Sequence, residues 1–282
     1  MKMARSTPYM MLAGLLLLAS GCQDATGAGS AANTKGLSLS VVRAHTDSSG
    51  LNISSTGSEM TLSDSTDTLV LSSVQLVLRR IELAQADTMC SPPADSTESS
   101  HDGPMTTDGW HRNRWGEWDR NDCQELKVGP ILVDVPLDGQ VQKVFSVDIP
   151  EGTYNGAEFW IHTPSSMDST DMAFVADHPD FDSVSVRVQG TFNGNDFTYT
   201  HAIRARQHSR LDPPLVVSPD SGATNLTLRV NLDKWFVGWH GTLIDPSTAN
   251  VGGDNEWLVA WHVMRSFWTF KDRNEDGECD RH

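Results

Sequence analysis

The chain has 282 residues, enough to build a substantial hydrophobic core without metals or disulfides. It carries 21 Lys and Arg against 37 Asp and Glu, and a formal charge of -16 excludes nucleic-acid backbones and anionic membrane patches as natural partners. With 38% hydrophobic residues and a mean hydropathy of -0.35, it is a polar globular chain and no multi-span membrane protein.

At the N-terminus, Lys2 and Arg5 precede an apolar run over residues 10–18, then the small residues Ala19, Ser20 and Gly21, then Cys22. That is the order of a secretory signal peptide, and the run is too short to span a bilayer comfortably. The stretch ending in Gly-Cys resembles a bacterial lipoprotein signal, in which the cysteine is lipidated and becomes the first mature residue. Ala19 departs from that pattern, since Leu is usual three positions before the cysteine. Secretion with cleavage nearby, and an uncleaved anchor, are the alternatives. Residues 22–35 are small and polar without periodicity, the composition of a flexible tether, so the folded part is expected just off the membrane of a bacterial cell envelope.

From residue 36 to 270, short alternating or β-branched runs are punctuated by turn residues, which predicts one antiparallel all-β domain. Strands are expected over 37–41, over 74–83 with a bulge at Arg79 and Arg80, and over 131–135, 142–148, 157–162, 184–188 and 226–232. The Asn193-Gly194 pair accepts positive φ and predicts a hairpin. Residues 87–122 are rich in Ser, Thr, Asp, Pro and Gly and read as a loop insertion. Cys90 and Cys123 flank it and are expected to form a disulfide in an exported protein. Trp110, Trp115 and Trp118 inside that loop either fold it back over the sheet or offer an aromatic platform to a glycan or protein ligand. A second insertion, 164–180, reads as a shorter acidic loop with no specific feature. Over 256–268 the period of two is lost, and Leu258, Trp261, Arg265 and Trp268 mark a helix capped by Asp254 or Asn255, with an edge strand as the rival.

The turn Ile149-Pro150-Glu151-Gly152-Thr153-Tyr154, the Trp235-Phe236 pair, the Ile244-Asp245-Pro246 turn and the acidic C-terminal tail together resemble bacterial extracytoplasmic β-sandwich lipoproteins of no established activity. The likeness covers roughly residues 36–280. It implies an immunoglobulin-like or transthyretin-like sandwich, to which the periodicity over 256–268 adds a short C-terminal helix, and no particular chemistry.

The most specific motif is the tail, residues 271–282. Asp272, Asn274, Asp276 and Asp280 stand at relative positions 1, 3, 5 and 9 with Gly277 at 6, the spacing of an EF-hand-type calcium loop. Alternate residues of such a turn point inward, hard oxygens suit a hard cation, and Gly permits the sharp turn. Glu278 at position 7 would supply its backbone carbonyl. Position 12 falls beyond His282, so water or a residue from elsewhere would complete the set and bind calcium less tightly. A metal-free acidic turn is the alternative. Cys279 is the odd cysteine, either a free thiol or a replacement for one partner of the Cys90 and Cys123 disulfide, and its carboxylate-rich setting argues against a reactive thiol.

Two rival readings come from other classes. Trp-His pairs at 110–111, 239–240 and 261–262 with Met264 raise a copper site built from His240, His262 and Met264, though no His-x-His spacing supports it. Asp180 and Asp182 raise a carbohydrate-active enzyme, but no hydrolase, metalloprotease or nucleotide motif is present. The reading is therefore a lipid-anchored envelope protein acting as a non-enzymatic binding or structural module stabilised by calcium.

Overall fold

A computed structural model describes residues 34–44, 50–85, 124–126, 129–218, 220 and 224–280. Cys22, the signal segment, the loop with Trp110, Trp115 and Trp118, and the Cys90 and Cys123 pair lie outside the described residues.

Two β-sheets enclose one core, so the all-β sandwich expectation is met. The smaller sheet has the order β13-β12-β1-β7, built from Phe267–Lys271, Thr224–Val230, Thr34–Arg43 and Gln142–Pro150. Its central pair, β1 and β12, is parallel, an exception to the antiparallel expectation. The larger sheet is organised around the 18-residue β4, Thr68–Gln85. One edge of β4 pairs with β3 (Glu59–Ser63), β6 (Ile131–Asp134) and β5 (Gln124–Leu126), and β2 (Asn52–Thr56) lies beyond β3. The other edge pairs with β9 (Val186–Phe192) and β8 (Gly152–Ile161). Outside these lie β10 (Asn195–His201) and β11 (Ala205–Val217).

Leu37, Leu39 and Val41 of β1, Leu226 and Leu228 of β12, and Leu76, Leu78 and Leu83 of β4 meet in the core. The predicted bulge in β4 is present, since the register with β8 shifts between Arg79 and Ile81. The Asn193-Gly194 hairpin also forms, with both φ angles positive at 52° and 81°. The Pro-Glu-Gly-Thr-Tyr turn has a different role from a hairpin. It carries the chain from β7 in one sheet to β8 in the other, and the buried Tyr154 hydroxyl donates to the Pro150 carbonyl at 2.9 Å to strap that corner.

Three expectations need correction. The sandwich was expected to begin at residue 36, and β1 begins at Thr34. The C-terminal helix, α2, spans only Glu256–Met264; Phe267–Lys271 instead pairs with the edge of β12, which places Trp268 on a strand. The 164–180 segment is structured: helix α1 (Met172–Asp177) and a helical turn at Pro179–Phe181 bury Phe174, Val175 and Phe181 against Val77 in a second apolar cluster.

Candidate functional site

The acidic tail folds back over the outer face of the smaller sheet. Alternation sends Ser38, Ser40, Asn225 and Thr227 to that face, yet all four are buried. They form one chain of hydrogen bonds. Ser38 and Ser40 donate to Asn225 Oδ1 at 2.8 and 2.9 Å, Asn225 Nδ2 donates to Thr227 Oγ1 at 2.9 Å, and Thr227 Oγ1 donates to Asp272 Oδ2 at 2.8 Å. Asp272 is 0% exposed, and its carboxylate also accepts the Asp276 and Gly277 N–H groups at 3.0 and 2.9 Å. The loop is thus fastened to the sheet through its first residue.

Gly277 has φ of 80° and lies against Val42 and Val141, so both the turn and the close approach require glycine here. Arg229 stacks 4.7 Å from the Phe270 ring, donates to the Gly277 carbonyl and lies 3.6 Å from Glu278. Of the residues proposed as ligands, the structure brings together Asn274 and Asp276, whose side chains meet at 2.6 Å. Asp276 Oδ1 accepts the Glu278 N–H at 2.7 Å, and Asp280 accepts the Arg273 N–H at 2.9 Å. The Glu278 side chain lies 3.6 Å from Arg229. Among the described residues no three His, Cys, Asp or Glu side chains gather as a metal-ligand group. A cation would therefore have to draw the Asp272 and Asp280 oxygens toward the Asn274–Asp276 pair. Burial lowers the Lys271 pKa beside the loop, and Cys279, the cysteine among the described residues, carries a free thiol.

The residues of the copper reading have separate surroundings. His262 sits beside Lys234 and Trp235, where burial pushes its pKa below the usual value. Met264 packs on the core and its carbonyl accepts Gln207 Nε2 at 2.8 Å. His240 lies in the exposed turn closed by the Gly238 N–H on the Thr242 carbonyl. The proposed carboxylate pair is divided too: Asp180 binds Arg187 at 2.7 Å, while Asp182 accepts the Ser166 N–H and hydroxyl at 3.0 and 2.8 Å.

Two arrangements escaped the sequence reading. In the first, the buried Asp171 at the start of α1 bonds His162 Nε2 at 2.8 Å and lies 3.4 Å from Arg79, whose Nη2 donates to Thr170 at 2.7 Å. This clamp fastens α1 to β4 and β8; an Asp just before an apolar helical stretch was the available signal. The second is on α2. Its buried face is Leu258, Val259, Ala260 and Val263, so of Leu258, Trp261 and Arg265 on the expected helical stripe only Leu258 is buried. Trp257 and Trp261 stack with centroids 6.3 Å apart and planes at 22°, and the Arg265 guanidinium lies 4.8 Å from the Trp261 centroid. The signal was the strict spacing of four.

An open polar groove of about 330 Å³ lies between the β2–β3 turn and residues 134–138. Its carboxylates have local partners: Asp134 accepts Gln75 Nε2 at 2.7 Å and Asp138 accepts the Gln140 N–H at 2.9 Å. No protein-family model matches the chain, and no curated protein or solved structure is significantly similar to it.

Proposed function

We propose that the protein is a lipid-anchored module of a bacterial cell envelope, tethered at Cys22, whose sandwich serves a non-enzymatic binding or structural task and whose tail holds a structural calcium ion. The observation that supports the calcium part is the course of the loop: Asp272, Asn274 and Asp276 alternate along a turn whose sixth residue, Gly277, has positive φ, while Asn274 Nδ2 donates to Asp276 Oδ2 at 2.6 Å, a bond that an entering ion would have to replace. Because the loop is rooted in β12 through Thr227 and Asp272, an ion there ties the tail to the sheet and stabilises the fold. The non-enzymatic part is supported by Asp180 and Asp182, each already engaged in a structural bond. The anchor part rests on the sequence around Cys22. The sandwich begins at Thr34, 12 residues further on, so an extended tether reaches about 40 Å.

Mass spectrometry of detergent-extracted full chain is expected to find acyl groups on Cys22 as the first residue; an unmodified cysteine or a different mature N-terminus overturns the anchor. Calorimetric titration with calcium is expected to give saturable heat and a higher Tm, both lost in Asp276→Ala and kept in Asp254→Ala. Asp276 is the cleaner choice than Asp272, whose loss would unfold the loop regardless of calcium. Absence of heat at millimolar calcium removes the ion from the reading.

A further inference from the structure

The excursion between β12 and β13, residues 231–266, closes the end of the smaller sheet where Arg43, Val230 and Phe267 lie side by side. Thr34, where the chain enters the sandwich, is at the other end of β1, about 30 Å away along the strand. The excursion buries Trp235 and Phe236 completely or nearly so, but leaves Trp239 75% and Trp257 66% exposed. Trp268, just beyond it, is 52% exposed. Trp268 packs beside Phe270 under the Arg229 guanidinium, whereas core packing does not account for the exposure of Trp239 and Trp257, and exposed aromatic surface marks a binding site.

The α2 column adds a charge to this apolar surface. Arg265 lies over Trp261 and, among the described residues, makes no ion pair, although the chain carries 37 carboxylates. The first-turn carboxylate, Glu256, is turned to His201 at 3.2 Å and to the Gly252 N–H at 2.6 Å. A flat indole face for C–H stacking, followed along the same helix face by a planar cation with a hydrogen-bonding fork, matches a ligand that alternates ring faces with anionic groups. Trp257 and Arg265 are two turns apart, about 12 Å along the axis, a span longer than one sugar ring.

We propose that this distal face binds an acidic oligosaccharide, with one pyranose ring on Trp257 and the carboxylate of a later unit on Arg265. The proposal deepens the binding-module reading and rests on it.

The full chain in detergent is titrated with hexagalacturonate and with neutral maltohexaose, in calcium-free buffer because uronates chelate calcium. Intrinsic tryptophan fluorescence and calorimetric heat are the readouts. Saturable binding of the uronate is expected, with the neutral chain at least about tenfold weaker, and with Trp257→Ala weakening the uronate about tenfold. Arg265→Gln is expected to bring the two oligosaccharides to equal affinity, and galacturonate monomer to bind poorly. Equal binding of both chains by the unaltered protein, or uronate binding untouched by both substitutions, overturns the proposal. Failure of both chains overturns it as well and leaves a protein as the partner for this face. Cys22→Ser protein is expected to bind uronate unchanged, so failure here and failure of the anchor reading are separately visible.

Discussion

Thr227, in the middle of β12, donates a 2.8 Å hydrogen bond to the buried carboxylate of Asp272, the first residue of the acidic tail. The same carboxylate receives two backbone N–H groups from the turn, so one side chain holds both the loop's shape and its seat on the sheet. Asp272→Ala leaves these donors unpaired in a buried site and is expected to cost about 3 kcal/mol, read from urea denaturation midpoints. Thr227→Val removes only the link to the sheet and is expected to cost about 1 kcal/mol. A loss below 1 kcal/mol for Asp272→Ala would show that the tail does not depend on this carboxylate.

Gly190 faces the bulge in β4, where the register with β9 shifts between Leu71 and Ser73. A Cβ at this position would collide with the Val70 carbonyl oxygen, and backbone cannot swing aside as a flexible side chain can. Gly190→Ala is expected to destabilise by about 3 kcal/mol, whereas Gly129→Ala, which meets open space, should stay within about 0.5 kcal/mol. Paired thermal melts of the two variants check this.

Tyr154→Phe removes the hydroxyl that straps Pro150 while keeping the buried ring. About 1 kcal/mol of destabilisation is expected, and Tyr154→Ala should cost several times more because it adds a cavity. Equal losses for the two would mean that the strap contributes nothing beyond packing.

Asp64 and His262 contribute to the acid response, together with Asp168, Asp182 and Glu256, whose carboxyls are also held below their ordinary value by hydrogen bonds. Three backbone N–H groups, from Leu243, Thr66 and Asp67, hold the Asp64 carboxyl down at about 2. A depressed carboxyl favours the folded state above its ordinary value near 3.8, and that contribution disappears as pH falls from about 4 to about 2. Burial depresses His262 from its ordinary 6.5, so its neutral form favours folding. The unfolded chain then takes up this proton first, and stability declines as pH falls below 6.5. Denaturation midpoints between pH 8 and 2 are expected to fall in two stages. Asp64→Asn should flatten the lower stage and His262→Gln the upper one.

Much of the fold was legible in local pattern. Alternation over 74–83 and the Asn193-Gly194 pair each rest on interactions within a few residues, and each has its expected local form. The stretch 267–271 was not, because helix and strand competed there and the free edge of β12 decided the outcome. The Trp257, Trp261 and Arg265 column was missed, because the stripe taken from the period ran through Leu258, Trp261, Arg265 and Trp268, and a period does not reveal which side of a helix faces the core.

The sequence by itself determined that two faces of β1 differ, with Leu37, Leu39 and Val41 on one and Ser38 and Ser40 on the other. Only the tertiary structure decided what covers the second face. Ser38 finds Asn225 across 187 positions of chain, through a parallel pairing of backbones that no side-chain pattern names. Residues that alternation assigns to solvent are instead sealed under an acidic tail, because a hydrogen-bonded chain ending on Asp272 lets polar groups be buried without losing their partners.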